Sequence, residues 1–415
     1  MLLIYRILIC LVLLISPLII IFRIIKNKEH PIRFMEKFSI SSLNRNKGKL
    51  IWFHGSSVGE ILSVMPIIEK LEKNKKISQI LVTSSTLSSS KVLKNFKLKK
   101  TIHQFFPIDS NFLINKFLNF WKPHTVFFIE SEIWPNTIIN IKKRNINLIL
   151  LNARITKKTF KKWKSIENFS KNLFGKFDLG LSQNNESKTF LKKLGVKEVK
   201  NLGNLKFSDT SLSLKNNISK KKFKFLNNKK IIFGAISTHF NEELFCGKIH
   251  LELKKIYKGS ISIIIPRHIN RINGIKNELE KIGLNVYLHS SKNRPNKNLD
   301  IYLVDTYGET KIFLNICKIV YLGGSIIKRG GQNPLEAARA GCKVMHGSNI
   351  DNFREVYKLL SKIKIASKIK NINDAKLIII KNHKKKNKSK KNVNKLYLLG
   401  KKILENNYKE INNYC

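Results

Sequence analysis

The side chains able to do chemistry in this 415-residue chain fall in short clusters. The longest runs from Gly323-Gly324-Ser325 through Lys328-Arg329-Gly330-Gly331 to Gln332-Asn333-Pro334-Leu335-Glu336, straight after the apolar Ile319–Leu322. Glycines let backbone N–H groups come close to an anion, and Lys328 and Arg329 add positive charge. Asn333 reads as a helix N-cap, Pro334 as a first-turn residue, and Glu336 sits three positions after the cap. A helix N-terminus favours negative charge, so this stretch is expected to hold a phosphate, that of a nucleotide. The competing reading is an ordinary strand–loop–helix connection with a good cap.

Similar clusters stand elsewhere. In His54-Gly55-Ser56-Ser57-Val58-Gly59-Glu60, the last residue is either a general base or one half of a Ser57/Glu60 capping box. Glu130-Ser131-Glu132-Ile133-Trp134-Pro135-Asn136 follows an apolar run, and two carboxylates there are costly to bury without a partner or a task. One of them could instead cap a helix begun by Pro135. Asn152-Ala153-Arg154 brings a cation that either binds an anion or pairs those carboxylates. Lys206, in Gly203-Asn204-Leu205-Lys206-Phe207, is functional or simply solvated. Ser237-Thr238-His239 and Pro266-Arg267-His268 close two further apolar runs, and Arg267 could grip a phosphate with two hydrogen bonds. Asp305-Thr306-Tyr307-Gly308-Glu309 is a turn into a helix, with Thr306 and Glu309 again at capping-box spacing. No D-x-D pair ends a strand, no His/Cys/Asp set has metal-ligand spacing, and no P-loop occurs. A metal-independent site that is not an ATPase is expected.

The elements that must position these clusters are legible as alternating strands and helices. Leu50–His54, Ile80–Val82, Val126–Ile129, Leu148–Leu151 and Leu179–Ser182 read as strands, with an amphipathic helix over Glu60–Lys73. A second series follows at Ile231–Ala235, Ile261–Ile265, Tyr302–Val304, Ile319–Leu322 and Lys343–His346. Such alternation argues for two parallel, doubly wound α/β domains that face a cleft, with ligand at the carboxyl ends of the strands. Residues 2–25 form an apolar run long enough to reach across a bilayer, with Arg23 near its end and Lys26, Lys28 and Arg33 after it. This predicts a membrane anchor over 1–28 with the body of the protein in the cytoplasm. Whether the anchor spans the bilayer or lies in its interface stays open, because Pro17 interrupts the run. The pattern then predicts one domain over 29–210, a linker over 211–230 and a second domain over 231–380. A Lys-rich loop and a terminal helix are expected over 381–415.

The net charge of +52 fits nucleic acid or an anionic membrane, but Lys, Asn and Ile are abundant everywhere, as in a biased coding composition. No nucleic-acid-binding signature is present, so no specific nucleic acid is expected as partner. The five cysteines are scattered, which fits a reducing compartment.

Taken together, the clusters resemble the transferases of 3-deoxy-D-manno-octulosonic acid (Kdo) that act in lipopolysaccharide synthesis. Leaving aside Asp305–Glu309, seven of them occur in the family's order between about residues 30 and 360, and Asn352-Phe353-Arg354-Glu355 adds an eighth. The resemblance implies a GT-B glycosyltransferase with an N-terminal membrane-anchor helix at the cytoplasmic face of the inner membrane, beside anionic lipids. It implies inverting transfer from CMP-Kdo to a lipid A precursor, without a further cofactor. The first domain would bind the acceptor and the second the nucleotide sugar. By the same carry-over, Glu60 is the base, and Glu130 and Lys206 stabilise the transition state. CMP would be held by Pro266, Arg267, Tyr307, Gly308, Glu309, Asn333, Pro334, Leu335 and Glu336. The chain departs from the family at Gly55-Ser56, at Gln332 where His is common, and at Ser208 before Asp209. The rival within this fold is a nucleotide-sugar epimerase or another lipid-linked transferase, which bound uridine rather than cytidine nucleotide would reveal.

Overall fold

The computed structural model describes residues 1–208, 223, 226, 231–291, 293–296, 298–383 and 388–415, with the backbone alone over 388–392. Most of the expected linker, and Asp209, lie outside these residues. The chain divides into two compact units. One is Met1–Thr210 together with Leu399–Cys415, and the other is Ser211–Leu398.

The first unit holds a seven-stranded sheet of β1 (Leu50–His54), β2 (Gln79–Ser84), β3 (Thr101–Phe105), β4 (Thr125–Ile129), β5 (Asn147–Ala153), β6 (Leu179–Ser182) and β7 (Val199–Asn201). Every pairing is parallel and the order is β3-β2-β1-β4-β5-β6-β7. Helices cover both faces, which is why β1 reads Leu-Ile-Trp-Phe-His with every residue buried. Trp52 packs against Phe117 and Phe128 at centroid distances of 4.9 and 5.8 Å. Each such pair contributes about 0.5–1.5 kcal/mol beyond the area it buries.

The second unit repeats the plan with β8 (Ile231–Thr238), β9 (Ser260–Pro266), β10 (Val286–Leu288), β11 (Ile301–Leu303), β12 (Ile319–Leu322), β13 (Lys343–His346) and β14 (Ala366–Lys368). Its order is β10-β11-β9-β8-β12-β13-β14, again all parallel. Each sheet reverses its winding beside its first strand, between β1 and β4 and between β8 and β12. Loops part at such a point and leave room for a ligand.

Two features depart from the sequence expectation. The tract expected as a Lys-rich loop is helical where it is described, in Ile372–His383 and Lys388–Asn412. The end of that last helix also belongs to the first unit. There Glu405 pairs with Lys70 at 2.6 Å and Glu410 with Lys200 at 2.8 Å, while the Tyr414 carbonyl accepts from Thr125. Gly400 lies so close to the Phe207 carbonyl that a Cβ there would stand 2.2 Å from its oxygen.

The helix Leu2–Ile25 is long and apolar enough to cross a membrane by length and composition. Pro17 inside it cannot donate to the Leu13 carbonyl, and the Ser16 hydroxyl takes that place at 2.7 Å. The helix therefore passes through its proline unbroken.

Candidate active site

The turn after β1 delivers Glu60. Ser57 caps the helix Val58–Leu71, its hydroxyl oxygen accepting from the Glu60 N–H. The same hydroxyl donates to Glu60 Oε1 at 2.8 Å, and the Ser56 N–H donates to Oε2 at 2.8 Å. Glu60 is thus part of a capping arrangement, yet its carboxylate stays partly open to solvent. Burial, and after it the charge of Glu132, push its pKa up.

The neighbouring loop, after β4, brings Glu130 and Glu132. Neither caps the helix Pro135–Lys143. Asp109 does so from another segment, accepting from the Asn136 and Thr137 N–H groups at 3.0 and 2.8 Å. Glu132 Oε2 accepts from the Ser56 hydroxyl at 2.6 Å and the Trp134 indole at 2.7 Å, and lies 3.2 Å from His54 Nε2. Burial works to raise its pKa, but these partners outweigh burial and hold it below the ordinary value. His54 is fixed in turn by Thr83 at 2.9 Å and by stacking on Phe106. Two carboxylates in one corner with pKa values pushed apart are the arrangement from which acid–base roles are assigned.

Glu130 has left-handed backbone angles, with φ 58°, and is only 7% exposed. Its carboxylate meets Lys206 at 2.6 Å, so Lys206, and not Arg154, is the cation it pairs with. Arg154 contributes its backbone N–H to the Glu130 carbonyl. Asn152, also at positive φ, accepts from the Leu205 N–H. Gln183 donates to the Asn152 carbonyl and accepts from the Asn204 side chain. This relay holds the 204–206 segment in place. Gln183 and Asp109 escaped the sequence reading because each serves a distant segment that local spacing does not reveal.

In the second unit the glycine loop holds an anion of its own making. Glu242, wholly buried, accepts from the N–H groups of Gly324 at 2.7 Å, Ser325 at 3.2 Å and Ile326 at 3.1 Å. The His239 N–H and the Tyr321 hydroxyl complete five donors. The Gly323 and Gly331 N–H groups go to the Ile236 and Gly324 carbonyls. Of the glycines expected to cradle a phosphate, Gly324 thus gives its N–H to a glutamate, and Gly323 and Gly331 give theirs to backbone carbonyls. Gly323 is still required, since a Cβ there would stand 2.2 Å from the Ser237 carbonyl oxygen. The missed signal was an acidic residue in the first turn of the helix after β8, as Glu60 is after β1.

Beside this hub the structure gathers basic side chains. Arg267, exposed after β9, has its backbone N–H on the Thr238 carbonyl. His239 and His268 have ring centroids 5.7 Å apart. Burial lowers the His239 pKa; Glu242 opposes this, and His268, Arg329 and Arg267 lower it further. The helix expected from Pro334 begins at Leu335, with Pro334 itself at the cap position and Asn333 Oδ1 accepting from the Leu335 N–H. Asn333 and Glu336 face solvent, whereas Leu335 is 2% exposed and its side chain belongs to the core. After β11, Tyr307 is 69% exposed and Gly308 takes φ 89°. Thr306 and Glu309 do not form a capping box. Glu309 precedes the helix Thr310–Ile316, and its carboxylate takes the Thr306 hydroxyl and lies 3.0 Å from His289.

Two seven-stranded parallel sheets, each with polar side chains gathered where its winding reverses, define an α/β protein of the GT-B kind. UDP-GlcNAc 2-epimerase from Neisseria meningitidis shares the fold, with a TM-score of 0.57 over 88% of this chain and 99% of that one, at 14% identity. A family model described as 3-deoxy-D-manno-octulosonic-acid transferase matches residues 32–209. The 3-deoxy-D-manno-octulosonic acid transferase of Rickettsia bellii is 35% identical over 85% of this chain and 84% of its own length. That of Rickettsia felis is 34% identical over 78% and 69%. The chain belongs to the Kdo transferase family: it is a glycosyltransferase of lipopolysaccharide biosynthesis.

Proposed function

We propose that the chain transfers Kdo from CMP-Kdo to the lipid A precursor lipid IVA, with inversion at the anomeric carbon. Glu60 carries this reading. Its carboxylate is fixed by two donors, open to an acceptor, and shifted toward neutrality by burial and Glu132. It takes the proton of an acceptor sugar hydroxyl as that oxygen bonds to the anomeric carbon, a role typically worth about 10²–10⁴ in rate. The bond to CMP breaks, and the electron pair leaves on the phosphate oxygen. Arg267 in the second unit, with Tyr307 after the adjacent β11 and Asn333 after β12, receives the nucleotide and its charge. Lys206 and Glu130, paired in the first unit, steady the oxocarbenium-like transition state.

The helix Leu2–Ile25 anchors the protein at the cytoplasmic face of the inner membrane, where basic residues attract anionic lipid at roughly 1 kcal/mol each. Purified protein incubated with CMP-Kdo and lipid IVA is expected to form the Kdo adduct, and Glu60→Gln is expected to slow it by about 10²–10⁴ while calorimetry still finds CMP bound. Untouched substrates where a known transferase works would refute the activity. A fully active Glu60→Gln would refute the base.

A further inference from the structure

The helix Leu2–Ile25 would measure about 36 Å at 1.5 Å per residue, more than the hydrocarbon core of a bilayer. Length alone would let it span. Its ties to the first unit forbid that. Near its start, the Tyr5 hydroxyl donates to Asp109 at 2.7 Å and the Arg6 guanidinium to Asn136 at 3.0 Å. Near its end, Arg23 meets Glu29 at 3.2 Å. Glu29 also takes Lys37, whose carbonyl accepts from the Ile108 N–H. Both ends of the helix are thus referred to the same short segment, Ile108-Asp109, in the body of the unit.

Between the ends, the less exposed positions recur along one stripe: Tyr5, Ile9, Leu13, Ser16, Ile20 and Ile24. That spacing of three and four marks one face turned to the protein for the whole length of the helix. The opposite face is apolar and open. Leu3, Leu14 and Ile25 are 71%, 76% and 74% exposed. Eleven residues make close to three full turns, so these three side chains lie on one line at the start, middle and end of the helix. Exposed Phe112 stands three residues from Asp109, exposed Ile32 follows the far end, and Lys26 and Lys28 are exposed beside it.

The geometry points to a helix that lies flat in one leaflet, its stripe of Leu3, Leu14 and Ile25 sunk in the anionic cytoplasmic surface and its other face on the first unit. This rests on the membrane-anchor reading above and decides the mode of anchoring. A spanning helix would carry Tyr5 and Arg6 to the far interface and tear them from Asp109 and Asn136. A flat helix keeps both contacts and holds the first unit at a fixed depth and orientation. Such helices sink roughly 5–10 Å into the headgroup and acyl boundary.

The test uses the full chain on vesicles of phosphatidylethanolamine and phosphatidylglycerol, with Cys10 and Cys415 changed to serine. A nitroxide is placed singly at Leu3→Cys, Leu14→Cys or Ile25→Cys, and its depth is read from collisions with oxygen and with a water-soluble nickel chelate. Equal, shallow depths at all three positions are expected. A label at position 14 near the midplane, with 3 and 25 shallow, overturns the flat helix and leaves the anchor standing. Failure to sediment with the vesicles overturns both.

Discussion

The Lys206 ammonium lies 2.6 Å from Glu130 Oε1, in a corner where Glu130 is 7% exposed. The two groups proposed to stabilise one transition state are each other's counter-ion. Removing Lys206 strands a buried carboxylate, which costs about 3–5 kcal/mol in comparable pairs. Lys206→Met is therefore expected to lower both activity and the midpoint of chemical unfolding. Lys206→Met with Glu130→Gln should regain part of the stability and none of the activity. Recovery of turnover in the double variant would show that the pair serves structure alone.

Glu60 and Glu132 give opposite pH signatures. Glu60 has a raised pKa in the folded state, so its contribution to stability is present below the unfolded carboxylate value and is lost as pH rises through the folded one. Glu132 is depressed, so its contribution is present above the unfolded value and lost as pH falls through the folded one. At neutral pH Glu60→Gln, which can still accept from Ser56, is expected to melt higher than the parent while losing about 10²–10⁴ in turnover. Glu132→Gln removes a charge that raises Glu60, although burial remains, so the acid limb of the turnover–pH profile should move to lower pH. An unmoved limb would separate Glu60 from that limb.

Glu242 is the buried anchor of the glycine loop. Glu242→Gln turns an N–H₂ group toward donors that need an acceptor. A loss of about 3 kcal/mol in unfolding free energy is expected, since hydrogen bonds to a charged group are worth about 1.5–3 kcal/mol and orphaned donors add to the deficit. CMP affinity by calorimetry should fall with it. Unchanged stability would mean that the loop is held by other contacts.

Gly400 has no space for a side chain, because its would-be neighbour is the backbone carbonyl of Phe207. Gly400→Val is expected to push the 205–207 turn aside and with it Lys206. Turnover should fall more than CMP affinity, since the displaced segment lies in the first unit. Equal losses in both would place the damage elsewhere.

The ten strands visible in the sequence are the inner strands of the two sheets, and β3, β7, β10 and β14, which went unread, are the four edges. Inner strands are covered on both faces and so are written mostly in apolar residues, as in Val126–Ile129. An edge such as Val199–Asn201 is short, half solvated and mixed in composition, so nothing separates it from a loop. The site divides in the same way. Glu60, Glu130 and Lys206 follow β1, β4 and β7, and their proposed roles come from the family resemblance, since local spacing alone leaves each open to a structural reading. Asp109, Gln183 and Glu242 are built into the interior by long-range hydrogen bonds, and only the folded chain shows whom they serve.

The return of residues 399–415 to the first unit gives the chain an unusual order of assembly. On the ribosome, β1 to β7 emerge early, but Thr125 must wait for Tyr414 and Lys70 for Glu405 until the whole second unit has been made. The part synthesised first is completed last. During that interval the surface that Gly400 covers, at the Phe207 carbonyl next in sequence to Lys206, is left open.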